Sequence, residues 1–203
     1  GSEGEELAYH ALETLGDDYM VFHSYCWLGD GVRTAAQGEA DFLVLHPQRG
    51  ILAIEVKAGG IAYENGAWQQ TNRNTGETHV IFPFQQAERS RQRVLAELQK
   101  RMQQNVPLVG KAVWFTSVQI PQGKPLPLES PRDIILDADD LRAPKERLER
   151  IYAYWRGILH IPERTQSPAE FRQTVQILQP VFRIVETLAA VSAAVEQSTA
   201  RLT

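Results

Sequence analysis

Three residues have the types and spacing for chemistry on a charged substrate. Asp41 lies inside Ala40-Asp41-Phe42-Leu43-Val44-Leu45, and Glu55-Val56-Lys57 closes the apolar run that begins at Ile51, fourteen residues beyond Asp41. Two carboxylates brought close together repel unless a cation lies between them. Hard oxygen ligands with open water positions suit Mg²⁺ or Mn²⁺. Such an ion would act as a Lewis acid on a phosphate oxygen and lower the pKa of a bound water, while a lysine ammonium orients that water or neutralises developing charge. This is the chemistry of metal-dependent phosphodiester cleavage. An isolated Glu-x-Lys is equally the solvent-facing end of a strand carrying an ion pair. The upstream Asp41 and the buried-type strands around it favour the metal site.

The elements that must position these residues are two strands and a reversal. Residues 40–45 and 51–57 both read as strands. Between them His46-Pro47-Gln48-Arg49-Gly50 supplies a proline with preset φ and a glycine that permits a left-handed turn, so the pair reads as an antiparallel hairpin. With Leu45 opposite Ile51, Asp41 falls opposite Glu55. Side chains alternate along a strand, so Glu55 and Lys57 share a face, and opposed pairs on it lie about 5 Å apart. Glu39 falls on that face opposite Lys57, as a supporting partner or a simple cross-strand ion pair.

The strings Gly38-Glu39-Ala40-Asp41-Phe42-Leu43-Val44-Leu45 and Gly50-Ile51-Leu52-Ala53-Ile54-Glu55-Val56-Lys57 resemble the core of the nuclease-related domain (NERD), within the PD-(D/E)XK nuclease superfamily. Two further segments agree. Gly4-Glu5-Glu6-Leu7-Ala8-Tyr9-His10-Ala11-Leu12 resembles the family's opening helix, and Pro83-Phe84-Gln85-Gln86-Ala87 its Pro-x-x-Gln-Ala helix start. The resemblance covers about residues 3 to 120. It implies a restriction-endonuclease-like fold and a divalent-metal-dependent nuclease. Asp41 and Glu55 would ligate metal with the Val56 carbonyl, Glu5 would ligate or position a second metal, Lys57 would assist the attacking water and Gln86 would hold the site. The chain departs from the family at Phe82, where asparagine is expected, so no polar side chain is available there. Glu5 and Glu6 also have a plainer role, since acids in a first helical turn offset the helix dipole. Gln86 could equally do no more than open its helix.

Composition narrows the alternatives. With 203 residues and 43% hydrophobic content, the chain can bury one α/β core plus an appendage. Absence of an apolar stretch near the ~18–20 residues of a membrane span, and a Gly1-Ser2 start resembling a cloning scar, fit a cytoplasmic protein with no membrane partner. A single cysteine, Cys26 beside Trp27, excludes an internal disulfide and a multi-cysteine zinc site, and the five histidines are scattered. Neither a serine-hydrolase elbow nor a P-loop occurs. The net charge of −4 runs against nucleic-acid binding. Against it, the helix expected over residues 85–104 carries Arg89, Arg91, Arg93, Lys100 and Arg101 with only Glu88 and Glu97. Arg89 and Arg93, one turn apart near Gln86, are the candidates for backbone phosphate contact. The plainer reading is an amphipathic helix packed through Val94, Leu95, Leu98 and Met102.

Farther along, Ile61-Ala62-Tyr63 and Ala67-Trp68-Gln69-Gln70 flank Glu64-Asn65-Gly66, a hairpin expected to extend the sheet. Its Tyr63 and Trp68 either pack or stack on bases. Residues 111–118 read as a buried strand that completes the core. A proline-rich connector, a short strand over 133–137 and helices over 139–159 and 168–200 follow, the latter kinked at Pro180 and carrying a small-residue stripe, Ala189 to Val195. The closing Ala200-Arg201-Leu202-Thr203 resembles the opening of superfamily 1 helicase domains.

The expected architecture is therefore α/β: a restriction-endonuclease-like mixed sheet flanked by helices (residues 3–120), followed by a mainly helical extension (121–203). The expected function is a Mg²⁺- or Mn²⁺-dependent nuclease acting on DNA, with RNA left open, in repair or defence; the resemblance of the closing residues adds the expectation of a helicase domain in the same polypeptide. The alternative is a catalytically silent module that binds nucleic acid or regulates a helicase.

Overall fold

The computed structural model describes residues 2–26, 39–102, 104–121, 123 and 125–179. Helix α1 (Glu3–Leu12) leads into strand β1 (Met20–Cys26). The expected hairpin follows as β2 (Glu39–His46) and β3 (Gly50–Lys57). Next come β4 (Gly60–Glu64), β5 (Ala67–Thr71), β6 (Thr78–Ile81), α2 (Pro83–Arg101) and β7 (Val109–Phe115). A 3₁₀ turn, β8 (Ile135–Leu136), a second 3₁₀ turn, α3 (Pro144–Leu159) and α4 (Pro168–Leu178) complete the described chain. The main sheet has the order β1-β2-β3-β7-β8. It is mixed, antiparallel from β1 to β3 and parallel across β3-β7 and β7-β8.

Alternation along the strands sorts the core into two faces. Phe42, Val44, Leu52, Ile54 and Val56 pack with Ala8, Ala11 and Leu12 of α1 and with Leu148, Ile151 and Tyr152 of α3. Leu43, Leu45, Ile51 and Ala53 pack instead with Val94 and Leu98 of α2 and Ile177 and Leu178 of α4. The second set has the same parity as Asp41, Glu55 and Lys57. The candidate residues therefore continue the α2 face past the end of its apolar part.

The hairpin over residues 60–71 forms around Asn65 and Gly66, both at positive φ (52° and 79°), as the Asn-Gly pair requires. It does not extend the main sheet. With β6 it makes a separate three-stranded sheet, because β2 and β7 already occupy both edges of β3. The helix expected from Asp139 is likewise divided: Asp137 caps a 3₁₀ turn over Ala138–Leu141, and α3 starts afresh with Pro144 in its first turn, where proline's missing N–H costs nothing.

Packing continues well past residue 120. Strand β8 adds to β7, and Ile134, Ile135, Leu136, Leu148, Ile151 and Tyr152 are all buried in the core of the sheet. Buried Tyr152 donates its hydroxyl to the Val44 carbonyl at 2.7 Å, and Trp155 donates Nε1 to Lys111 O at 2.8 Å. Gly110 makes this approach possible, since a Cβ there would lie 2.4 Å from Trp155 Cδ1. Gly110→Ala should therefore push α3 off the sheet and cost about 2–3 kcal/mol, as overpacked cores do. Urea denaturation measures it, and a cost near zero would mean that α3 is not held there.

Helix α2 starts at Pro83, with Phe82 as N-cap. Phe82 makes no side-chain capping bond and is 55% exposed. Restoring asparagine at this position, Phe82→Asn, offers an acceptor to the unsatisfied N–H groups and removes exposed apolar surface. A gain of about 0.5–1 kcal/mol is expected, seen as a rise of about 1–4 °C in Tm. An unchanged or lower Tm would show that the backbone at this cap cannot use the amide.

Several sequence features fall outside the described residues: Trp27, Gly38, Pro180, the Ala189–Val195 stripe and the 200–203 tail. The side chains of Cys26 and Glu39 do so as well.

Candidate active site

The strand pairing that aligns the two acids is the expected one, with Leu45 opposite Ile51 and Phe42 opposite Ile54. One step beyond that last pair, the Asp41 side chain takes over from the backbone ladder: its Oδ2 accepts the Val56 N–H at 2.6 Å. In an extended strand a residue's N–H and C=O point to the same edge. The Val56 carbonyl thus faces the Asp41 side, whereas the Lys57 carbonyl faces β7 and accepts from Thr116 N–H at 3.1 Å. Glu55 is buried, at 3% exposure, and its Oε1 meets Lys57 Nζ at 2.6 Å.

The electrostatics show a site with too much negative charge for its burial. Desolvation, followed by the charge of Glu55, pushes the Asp41 carboxyl up to about 7, against the Val56 N–H and Lys57, which pull it down. Burial also raises Glu55, opposed by Lys57 and Arg89 and reinforced by Glu5. Glu5 arrives from the other layer, at the start of α1. Burial alone would raise its carboxyl too, but hydrogen bonds from the Ser2 backbone and hydroxyl and the nearby His23 hold it below the ordinary range. Those Ser2 bonds form a reciprocal capping box, so the plainer reading of Glu5 as a first-turn acid describes part of what it does.

The fold thus gathers Asp41, Glu55 and Lys57, with Glu5 and Arg89 in electrostatic reach. Gln86 is half-buried in the first turn of α2, three residues before Arg89 and so on the same side of the helix. Arg93 is exposed one turn farther on and has interactions of its own. Arg91 and Arg101 of α2 are committed to the fold, as is Lys111 of β7. Arg91 binds Glu88 and lies over the Trp155 ring, Lys111 binds Glu88 from β7, and Arg101 pairs with Glu97. These partners hold the Glu88 carboxyl down to about 2 in spite of its burial. Trp68 is buried against Phe84 and Phe115, and Tyr63 lies against Trp68, so these aromatics pack.

Among the described residues no three His, Cys, Asp or Glu side chains are arranged to hold a metal ion. Asp41 is turned to Val56, Glu55 to Lys57 and one oxygen of Glu5 to Ser2. The donor set nevertheless fits a hard divalent cation. A half-buried Asp41 and a buried Glu55, both with raised pKa and offset by one ammonium, form an oxygen-rich position that a cation would relieve. His23, beside Glu5, belongs to no sequence motif. Only the pairing of β1 with β2 brings it to the site.

A family model described as the nuclease-related domain matches residues 1–118. The chain belongs to the NERD family. No curated protein and no solved structure gives a significant match. Membership places this NERD chain among nuclease-like hydrolases that act on nucleic acid. No helix among the described residues is long and apolar enough to cross a membrane.

Proposed function

We propose that this NERD protein is a divalent-metal-dependent phosphodiesterase that hydrolyses nucleic acid, DNA before RNA. The observation that carries the reading is the half-buried Asp41 beside the buried Glu55, with Lys57 bonded to Glu55, within a nuclease-related chain. Asp41, Glu55 and the Val56 carbonyl would hold Mg²⁺ or Mn²⁺, and Glu5 a second ion or its water. The bound ion supplies Lewis acidity at a phosphate oxygen and a water of lowered pKa. Lys57 stabilises the charge that develops on the phosphate and orients the attacking water. Gln86 holds the site from the start of α2, and Arg89 and Arg93 contact the backbone of the substrate.

One observation favours a second reading, a docking module without cleavage: Arg91, Lys111 and Arg101 are spent on internal ion pairs in a chain of net charge −4. The deciding experiment incubates labelled single-stranded, duplex and forked DNA and matched RNA with the protein in Mg²⁺, Mn²⁺ or EDTA. Metal-dependent cutting, strongest on a DNA substrate, is expected. Binding without cutting under every condition would leave the docking module.

A further inference from the structure

We infer that His23 is the positioning residue for Glu5, turning a helix-capping carboxylate into a member of the site; this rests on the metal-site reading above. The two oxygens of Glu5 are used differently. Oε1 accepts from the Ser2 N–H at 3.1 Å and the Ser2 hydroxyl at 2.9 Å. Oε2 faces His23 Nε2 at 3.6 Å. That ring nitrogen is shielded from solvent and has no hydrogen-bond partner. A polar group left in this condition keeps its full desolvation cost with nothing to offset it. Closing the gap to about 2.8–3.0 Å satisfies it with a charge-assisted bond, and Glu5 Oε2 lies in that direction.

The imidazole is also held where it can do this. Its ring stacks on Phe42, with 4.7 Å between centroids and 12° between planes, and Tyr9 of α1 lies 5.6 Å away. Phe42 is the cross-strand partner of His23 and directly follows Asp41. One ring therefore ties the start of α1 to the strand that carries Asp41. Glu5 in turn is felt electrostatically by both Asp41 and Glu55. Without His23, both Glu5 oxygens are available to the helix cap. With it, Oε2 is held by the ring away from the cap, and its second lone pair is left for the site. Neighbours that orient a metal-binding carboxylate are worth about 10–100-fold in metal affinity or activity.

The test compares wild type, His23→Ala, His23→Gln, Glu5→Gln and the His23→Ala/Glu5→Gln double variant in saturating Mn²⁺, with thermal melts as a folding control. His23→Ala should lower kcat about tenfold with little change in KM, and His23→Gln, which keeps an N–H donor, should recover most of it. In the Glu5→Gln background the His23 replacement should have no further effect. A readout independent of activity is the tautomer of His23 by long-range ¹H–¹⁵N NMR without metal: Nε2–H in wild type, with that preference lost in Glu5→Ala. An unchanged kcat, an equal loss in the Glu5→Gln background, or a tautomer indifferent to Glu5 would each overturn the assignment. A wild type that cuts nothing in any metal would overturn the metal-site reading itself, while the NMR result still reports whether His23 holds Glu5.

Discussion

Lys57→Ala should lower metal-dependent cleavage by about 10²–10³-fold, the usual size of losing one group that stabilises transition-state charge, while the protein stays folded and still binds Mg²⁺. The partners of Lys57 predict this division. Its ammonium sits 2.6 Å from Glu55 Oε1 and leaves the Asp41–Val56 bond untouched. Removing it strands a buried carboxylate, which is normally costly. Burial has already raised the Glu55 carboxyl, so it can take up a proton, or a metal ion can replace the lost charge. Single-turnover cleavage with Mn²⁺, beside calorimetric titration of the metal, separates the two effects. If the variant cuts within about threefold of wild type, Lys57 has no role in the chemistry and the pair is an ion pair alone.

Asp41→Asn has the second large effect, and it is seen in stability as well as in cleavage. Without metal, burial and the charge of Glu55 push the Asp41 carboxyl up to about 7 in the folded chain, against ~3.9 in the unfolded chain. Between those values the folded state keeps a proton that the unfolded state has released. The contribution of Asp41 to stability is therefore fully present below about pH 4 and is lost as pH rises through about 7. The loss should be on the order of 2 kcal/mol, less than the whole shift implies because the group is only partly shielded. The asparagine variant cannot ionise there, and its amide oxygen still accepts the Val56 N–H, so its stability should change much less with pH. Urea unfolding of both proteins in EDTA at about pH 5 and about pH 8 makes the comparison. Mg²⁺ at about 100 times its Kd should return about 2.7 kcal/mol to wild type and little to the variant, and cleavage by the variant should fall by at least about 10³-fold. Wild type and variant with the same pH dependence would show that Asp41 carries no strained charge.

The same contrast explains why these two acids are conspicuous in the sequence. Two acids close together raise each other's pKa and weaken the fold, and Asp41 and Glu55 stand out as acids placed in otherwise apolar strands. Helix-capping acids and surface arginines carry no such mark. The basic residues of α2 looked alike in sequence, yet Arg91 is bound to Glu88 and Trp155 while Arg89 lies close enough to Glu55 to lower its pKa. Which guanidinium does which depends on what faces each side of the helix.

The sequence alone determined what local periodicity and turn chemistry control. The β2-β3 hairpin, its pairing, the common face of Asp41, Glu55 and Lys57, the Asn65-Gly66 turn and the amphipathic α2 all follow from alternation, 3.6-residue spacing and residues suited to positive φ. The ordered motifs also pointed to the NERD family. Only the tertiary structure decided what depends on partners distant in the chain. The hairpin over residues 60–71 leaves the main sheet because β7, from beyond α2, takes the remaining edge of β3. Residues 134–155 enter the same core because Gly110 leaves room for Trp155. His23 reaches Glu5 because β1 pairs with β2, a contact between residues eighteen apart that no local pattern encodes. Periodicity fixes the direction of a side chain relative to its own strand or helix, and what it meets there is set by the packing of the whole chain.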